Sequence, residues 1–154
     1  MTTTLFKNLT SANLVMKQEV PTKNGSKYIA LENELTLQLP TSVVKYQPND
    51  YNGNGKFKLV LKTNEYSNLV DLLYTTIQNQ ITPFVYGQED LNTLKINISS
   101  DEAGQINLND KVKCIISTTG GYSIGGKFYL ALYMKMFKVT EAAQPKEELT
   151  FEED

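Results

Sequence analysis

The stretch "DKVKCIISTTGGYSIGGKFYLALYMKMFKVTE", residues 110–141, carries the information that decides how this chain folds. It begins with strict alternation. Val112, Cys114 and Ile116 fall on one side and Lys111 and Lys113 on the other, the period of a half-buried strand. Glycines then crowd residues 120–126, and a second alternating run follows. In a long strand over 127–140, Phe128, Leu130, Leu132, Met134 and Met136 share one face. Lys127, Tyr129, Ala131, Tyr133, Lys135 and Phe137 share the other. Two strands joined through a glycine-rich connection read as a hairpin. Both faces of its second arm are apolar enough to need cover, and one interleaves aromatic rings with lysines.

The same period extends towards the N-terminus. In "SKYIALENELTLQLP", Ile29, Leu31, Leu35, Leu37 and Leu39 share a face opposite Tyr28, Glu32, Glu34, Thr36 and Gln38, and Pro40 ends the run. "KFKLVLK" points Phe57, Leu59 and Leu61 inward and Lys56, Lys58 and Lys62 outward, with Val60 the apolar exception. "LKINIS" buries Leu94, Ile96 and Ile98. A weaker strand is expected over 13–20, and Asn24–Gly25 supplies a turn after it. The segment "TNEYSNLVDLLYTTIQNQI" breaks the pattern. Tyr66, Leu69, Val70, Leu73, Tyr74, Ile77 and Ile81 recur at helical spacing, with Thr63 or Asn64 as N-cap and Pro83 as the stop. A polar loop, "KYQPNDYNGNGK", separates the long strand from "KFKLVLK". Antiparallel strands around one helix predict a mainly β domain over residues 1–140, an OB-fold-like Greek-key barrel with one α-helix.

Composition narrows the chemistry. The 154 residues suffice for one domain with a sizeable core. All fifteen basic residues are lysine, and histidine, arginine and tryptophan are absent. No run of apolar residues is long enough to span a membrane, and "MTTTLFKNLT" lacks the features of a signal peptide, so the expectation is an intracellular protein. The single cysteine, Cys114, fits a reducing compartment and lies on an inward face, where a buried inert thiol is expected. Without histidine the commonest general base is missing. "GYSIG" at 121–125 matches the string of a nucleophile elbow, and "GYSIGGKF" approaches a phosphate-binding loop. A strand follows both where a helix is required, so neither motif is functional. The reading is a non-enzyme with no metal and no cofactor.

What the sequence does supply is cations beside flat rings. Binding a single nucleic-acid strand needs lysines for phosphates and aromatic faces on which bases stack. The candidates are Lys56, Lys58, Lys62, Lys111, Lys113, Tyr122, Lys127, Tyr129, Tyr133, Lys135 and Phe137. Tyr46 and Tyr51, in the polar loop, are also expected to be exposed. Against this stands the plain alternative that outward lysines are solvated or guard sheet edges, and that Tyr129, Tyr133 and Phe137 pack under the helix or at a homodimer interface.

Charge is unevenly divided. Residues 1–140 hold fourteen lysines and eleven acids, whereas residues 141–154 hold one lysine and six acids. The segment 141–154 has too little apolar surface to join a core and is expected to be a disordered acidic tail. Yet Leu149 and Phe151 sit among Glu147, Glu148, Glu152, Glu153 and Asp154. Such a tail can occupy a basic groove as a polyanion mimic, be displaced by nucleic acid, and offer Phe151 to a partner.

Taken together, residues 110–141, the helix ahead of them and "EELTFEED" resemble the viral and phage single-stranded DNA-binding proteins of the OB type, especially those of short-tailed phages. The resemblance implies a protein that coats single-stranded DNA in replication, recombination and repair, in the host cytoplasm for a phage protein. It further implies a tail that contacts a replicative DNA polymerase or a helicase-primase. One departure is that Glu152, Glu153 and Asp154 follow the tail aromatic, which in that family lies at or near the C-terminus. The runner-up is a non-enzymatic structural or assembly β-protein of a virion.

Overall fold

The computed structural model describes residues 3–17, 19–22, 25–50, 53, 55–77, 85–86, 92–125 and 127–143. Its strands are β1 (Thr4–Leu5), β2 (Val20–Pro21), β3 (Lys27–Gln38), β4 (Ser42–Val44), β5 (Phe57–Lys62), β6 (Val85–Tyr86), β7 (Thr93–Ile98), β8 (Lys111–Ile124), β9 (Lys127–Leu130) and β10 (Tyr133–Glu141). Helix α1 (Tyr66–Ile77) lies between β5 and β6, and the short α2 (Ser100–Ala103) follows β7. The protein is mainly β, as the period-two patterns require.

β8 organises the sheet. It pairs antiparallel with β3 on one side and with β9 and then β10 on the other. β10 runs parallel to β7, β7 antiparallel to β5, and β5 antiparallel to β4. β4 then pairs with β8 through Ser42↔Val112 and Val43↔Lys111, so the path β8-β10-β7-β5-β4 returns to its start. β3 and β4 meet the same strand on either side of Pro40, because the chain bends where proline removes a ladder donor.

The core is the set of inward residues that this alternation selects. Ile29, Leu37, Leu59, Leu61, Leu94, Ile96, Val112, Ile116 and Phe128 are buried, each contributing ~2 kcal/mol of transfer free energy. Helix α1 sets Tyr66 and Leu69 against them, and the Tyr66 hydroxyl meets Ser42 Oγ at 2.5 Å. That bond satisfies a phenol that burial would otherwise strand, and burial holds its ionisation well above the usual tyrosine range. Cys114 is buried as expected, its thiol pushed up to about 12 by burial and then by the Glu102 charge.

Three expectations need correction. The described residues of 13–20 do not form one strand. Ser11–Leu14 is a 3-10 turn, Met16 makes one bridge to Leu31, and β2 begins at Val20. The long final strand is two strands. At Ala131 and Leu132 the chain leaves the regular β8 ladder, and the Leu132 carbonyl accepts from both the backbone and the side-chain amide of Asn97, at 2.8 and 3.0 Å. A bulge then opposes Met134 and Met136 to Ile116 and Ile115, so the extra residue is Lys135. Side chains beyond it exchange faces. Phe137 and Val139 pack against the core, while Met136 is 63% exposed.

Helix α2 is the element that periodicity misses, since four residues are too few to show a period. Its cue is Ser99 with Glu102 three residues on, a capping box in which Ser99 Oγ accepts from the Glu102 amide at 3.1 Å and Glu102 Oε1 from the Ser99 amide at 2.8 Å. Asn24, Tyr51, Ile81, Pro83, Gly126 and the acidic segment from 144 onward lie outside the described residues, as do the side chains of Val70, Leu73, Tyr74 and Ile77.

Candidate functional site

A groove of about 1170 Å³ runs over the outward faces of β5 and β7 and the start of β10. Register builds it. Lys58 lies opposite Asn97, Val60 opposite Lys95, and Tyr133 beside Asn97 on the parallel neighbour. One row therefore reads Lys58, Asn97, Tyr133 across three strands. Asn97 is the joint: its Nδ2 donates to the Leu132 carbonyl and its Oδ1 accepts from Lys58 Nζ. Val60, the apolar exception on its outward face, is buried in the floor.

Four lysines line the groove: Lys45, Lys56, Lys58 and Lys95. Lys58 is half-buried, and its pKa is lowered first by desolvation and then by the charges of Lys95 and Lys56. Crowded like charges in a partly desolvated cleft are relieved by an anion, and a phosphate fits that need.

Four tyrosines share the walls: Tyr46, Tyr122, Tyr129 and Tyr133, exposed by 40% to 50%. Tyr122 is directly opposite Tyr28 on β3 and Tyr129 on β9, forming a ladder of three rings over three strands. The Tyr28 and Tyr122 rings are 5.2 Å apart at 54°. Tyr28 is fixed further by a 2.9 Å hydrogen bond between its hydroxyl and Thr119 Oγ1. Tyr46 has Lys45 Nζ over its ring at 5.2 Å. Rings held in place by strand neighbours lose little entropy on stacking with a flat ligand, which makes such a wall suited to bases.

The structure thus gathers Lys56, Lys58, Tyr122, Tyr129 and Tyr133 of the sequence-derived candidates. It does not bring Lys62, Lys127, Lys135 or Phe137 to this groove. Lys62 is exposed opposite Thr93, Lys127 stands at the β8–β9 turn, Lys135 projects from the bulge, and Phe137 faces the core. Lys111 and Lys113 lie at the far end of β8, where Lys111 pairs with Glu141 at 3.2 Å. Glu147, Glu148, Phe151, Glu152, Glu153 and Asp154 lie outside the described residues. Lys95, Lys45, Tyr46, Asn97 and Tyr28 complete the site. Lys95 carried the same sign as Lys58, a lysine on the outward side of an alternating run, whereas Asn97 and Tyr28 depend on register that no single strand reveals.

No protein-family model matches the chain, and comparison with curated proteins finds no relative. The physical character of the groove is therefore the basis for a functional reading.

Proposed function

We propose that this protein is a non-sequence-specific single-stranded DNA-binding protein of the OB type, and that the β5–β7–β10 groove is where the strand lies. One observation carries the reading: four lysines and four exposed tyrosines converge on a single groove in which the half-buried Lys58 has its charged form disfavoured, first by desolvation and then by its like-charged neighbours. Lysines give phosphate contacts without sequence preference, and tyrosine faces accept any base. A strand path that returns to β8, with β3 and β4 both serving that strand, supports an OB-type Greek-key barrel. The absence of arginine fits the same reading, because nothing in the groove offers the fork that reads guanine.

The acidic segment supplies an intramolecular polyanion that competes with DNA for lysines, and Phe151 gives replication proteins a handle. Coating of DNA in viral replication, recombination and repair is the role that this combination serves.

Tyrosine emission tests the reading, since the chain has nine tyrosines and no tryptophan to mask them. Titration with poly(dT) at low salt quenches the emission, and Tyr133→Ala weakens the affinity by ~1–3 kcal/mol while Tyr133→Phe does not. Emission that poly(dT) leaves untouched at low salt overturns the proposal.

A further inference from the structure

Glu102 is the one acid among the described residues that line the β5–β7–β10 groove. Its place is fixed by α2. Oε1 accepts from the Ser99 amide at 2.8 Å in the capping box, and Ala103, the next residue, is buried in the core. The Glu102 side chain is half-buried, and among the described residues its Oε2 has no partner.

The position of that oxygen follows from β7. Ile98, the last residue of the strand, lies opposite Phe57, one place beyond the row Lys58, Asn97, Tyr133. Ser99 is two residues past Asn97, ~7 Å along an extended chain. α2 therefore sets its carboxylate at the end of the groove nearest that row. An ionised carboxylate only accepts hydrogen bonds, so it repels a phosphate and welcomes an N–H. The lysines take the phosphates, and the part of a nucleotide that suits Glu102 is a base edge with a donor on it.

We propose that Glu102 biases this groove towards bases that carry an exocyclic amine, cytosine first, by accepting from that amine through Oε2. The inference rests on the proposed function and names the bases favoured within the same groove. Cytosine offers its N4 amine to an acidic side chain. Uracil and thymine hold a carbonyl at the same ring carbon, and their N3–H stands between two carbonyls that repel a carboxylate. One charge-assisted hydrogen bond in an open groove gives roughly a three- to tenfold preference. That bias tilts binding without making it sequence-specific.

The test is fluorescence anisotropy of labelled oligodeoxycytidine and oligodeoxyuridine of equal length. It uses the full chain at low salt and mildly alkaline pH, where cytosine N3 is unprotonated. The two bases differ only at N3 and C4, so the ratio of affinities isolates the amine. The parent should favour oligodeoxycytidine by roughly three- to tenfold. Glu102→Gln keeps the capping box, which glutamine serves as well as glutamate, and turns an amide donor to the groove. It should abolish or reverse the preference. Asp101→Asn removes the same charge from an exposed residue of α2 that does not line the groove, and should leave the ratio as in the parent. Equal affinities in the parent, a ratio that Glu102→Gln leaves unchanged, or equal loss in Asp101→Asn would overturn the proposal while DNA binding stands. Failure to bind either oligonucleotide would instead overturn the proposed function, and this inference with it.

Discussion

At the scale of single residues, the proposed interface is a matter of where lysine charges converge. Lys58 is held by Asn97 and crowded by Lys56 and Lys95, so each of Lys58 and Lys95 is expected to meet one phosphate. Replacing either by alanine should flatten the log–log salt dependence of poly(dT) affinity by ~0.7, and Lys62→Ala should leave it unchanged. Equal slopes for all three variants in salt titrations would remove Lys58 and Lys95 from the site. The buried thiol gives a prediction of a different kind. Cys114 has its folded pKa raised from 9.0 to about 12, so the folded state favours the protonated form. Its stabilising effect is complete below pH 9 and is lost as pH rises towards 12, at about 1.4 kcal/mol per pH unit. Urea midpoints should therefore fall less steeply between pH 9 and 11 in Cys114→Ala than in the parent, and parallel slopes would contradict the assignment. Cys114 was legible from alternation alone. Asn97 was not, because its role is set by two neighbouring strands and an amide that bonds to both.

At the scale of elements, the glycines at the centre of β8 decide how the sheet bends. Four residues of β3, 31–34, stand against Thr119 alone, a large register shift that lets β3 curl over β8. Gly120 sits there at φ 145°, and a Cβ on it would lie 2.1 Å from the Ile29 carbonyl oxygen. A Cβ on Gly121 would lie 2.3 Å from the Tyr129 carbonyl oxygen. Both obstacles are backbone, which cannot step aside as a side chain can. Gly120→Ala should cost at least ~2 kcal/mol in chemical denaturation, through backbone strain at a special φ. A stability within ~0.5 kcal/mol of the parent would show that the bend does not depend on this close approach. The glycine cluster was visible in the sequence as a break between two strands, but β8 continues through it to Ile124. The bulge at Lys135 was invisible for a related reason. Alternation predicts faces only while the count of residues on partner strands stays equal, and one extra residue sent Phe137 inward and Met136 outward.

At the scale of the molecule, the proposed function makes the acidic residues 144–154 a competitor of nucleic acid for the lysines of the body. Removing residues 144–154 should tighten poly(dT) binding at low salt and steepen the salt slope by ~0.7 for each lysine freed. Unchanged affinity and slope in the shortened chain would show that the acidic segment does not compete. The mainly β class followed from period two, and the helix from its change to a longer period. The path by which β8 regains itself through β4 rests on pairings far apart in sequence, which composition and spacing do not report. The proposed interface lies on that path, with lysines from β5 and β7 facing tyrosines from β8, β9 and β10. The most direct measurement is fluorescence anisotropy of a labelled poly(dT) oligonucleotide at low and high salt, with duplex DNA as competitor. The account predicts binding that weakens with salt and that duplex does not compete away. No binding at low salt, by the full chain and by the chain lacking residues 144–154, would contradict it.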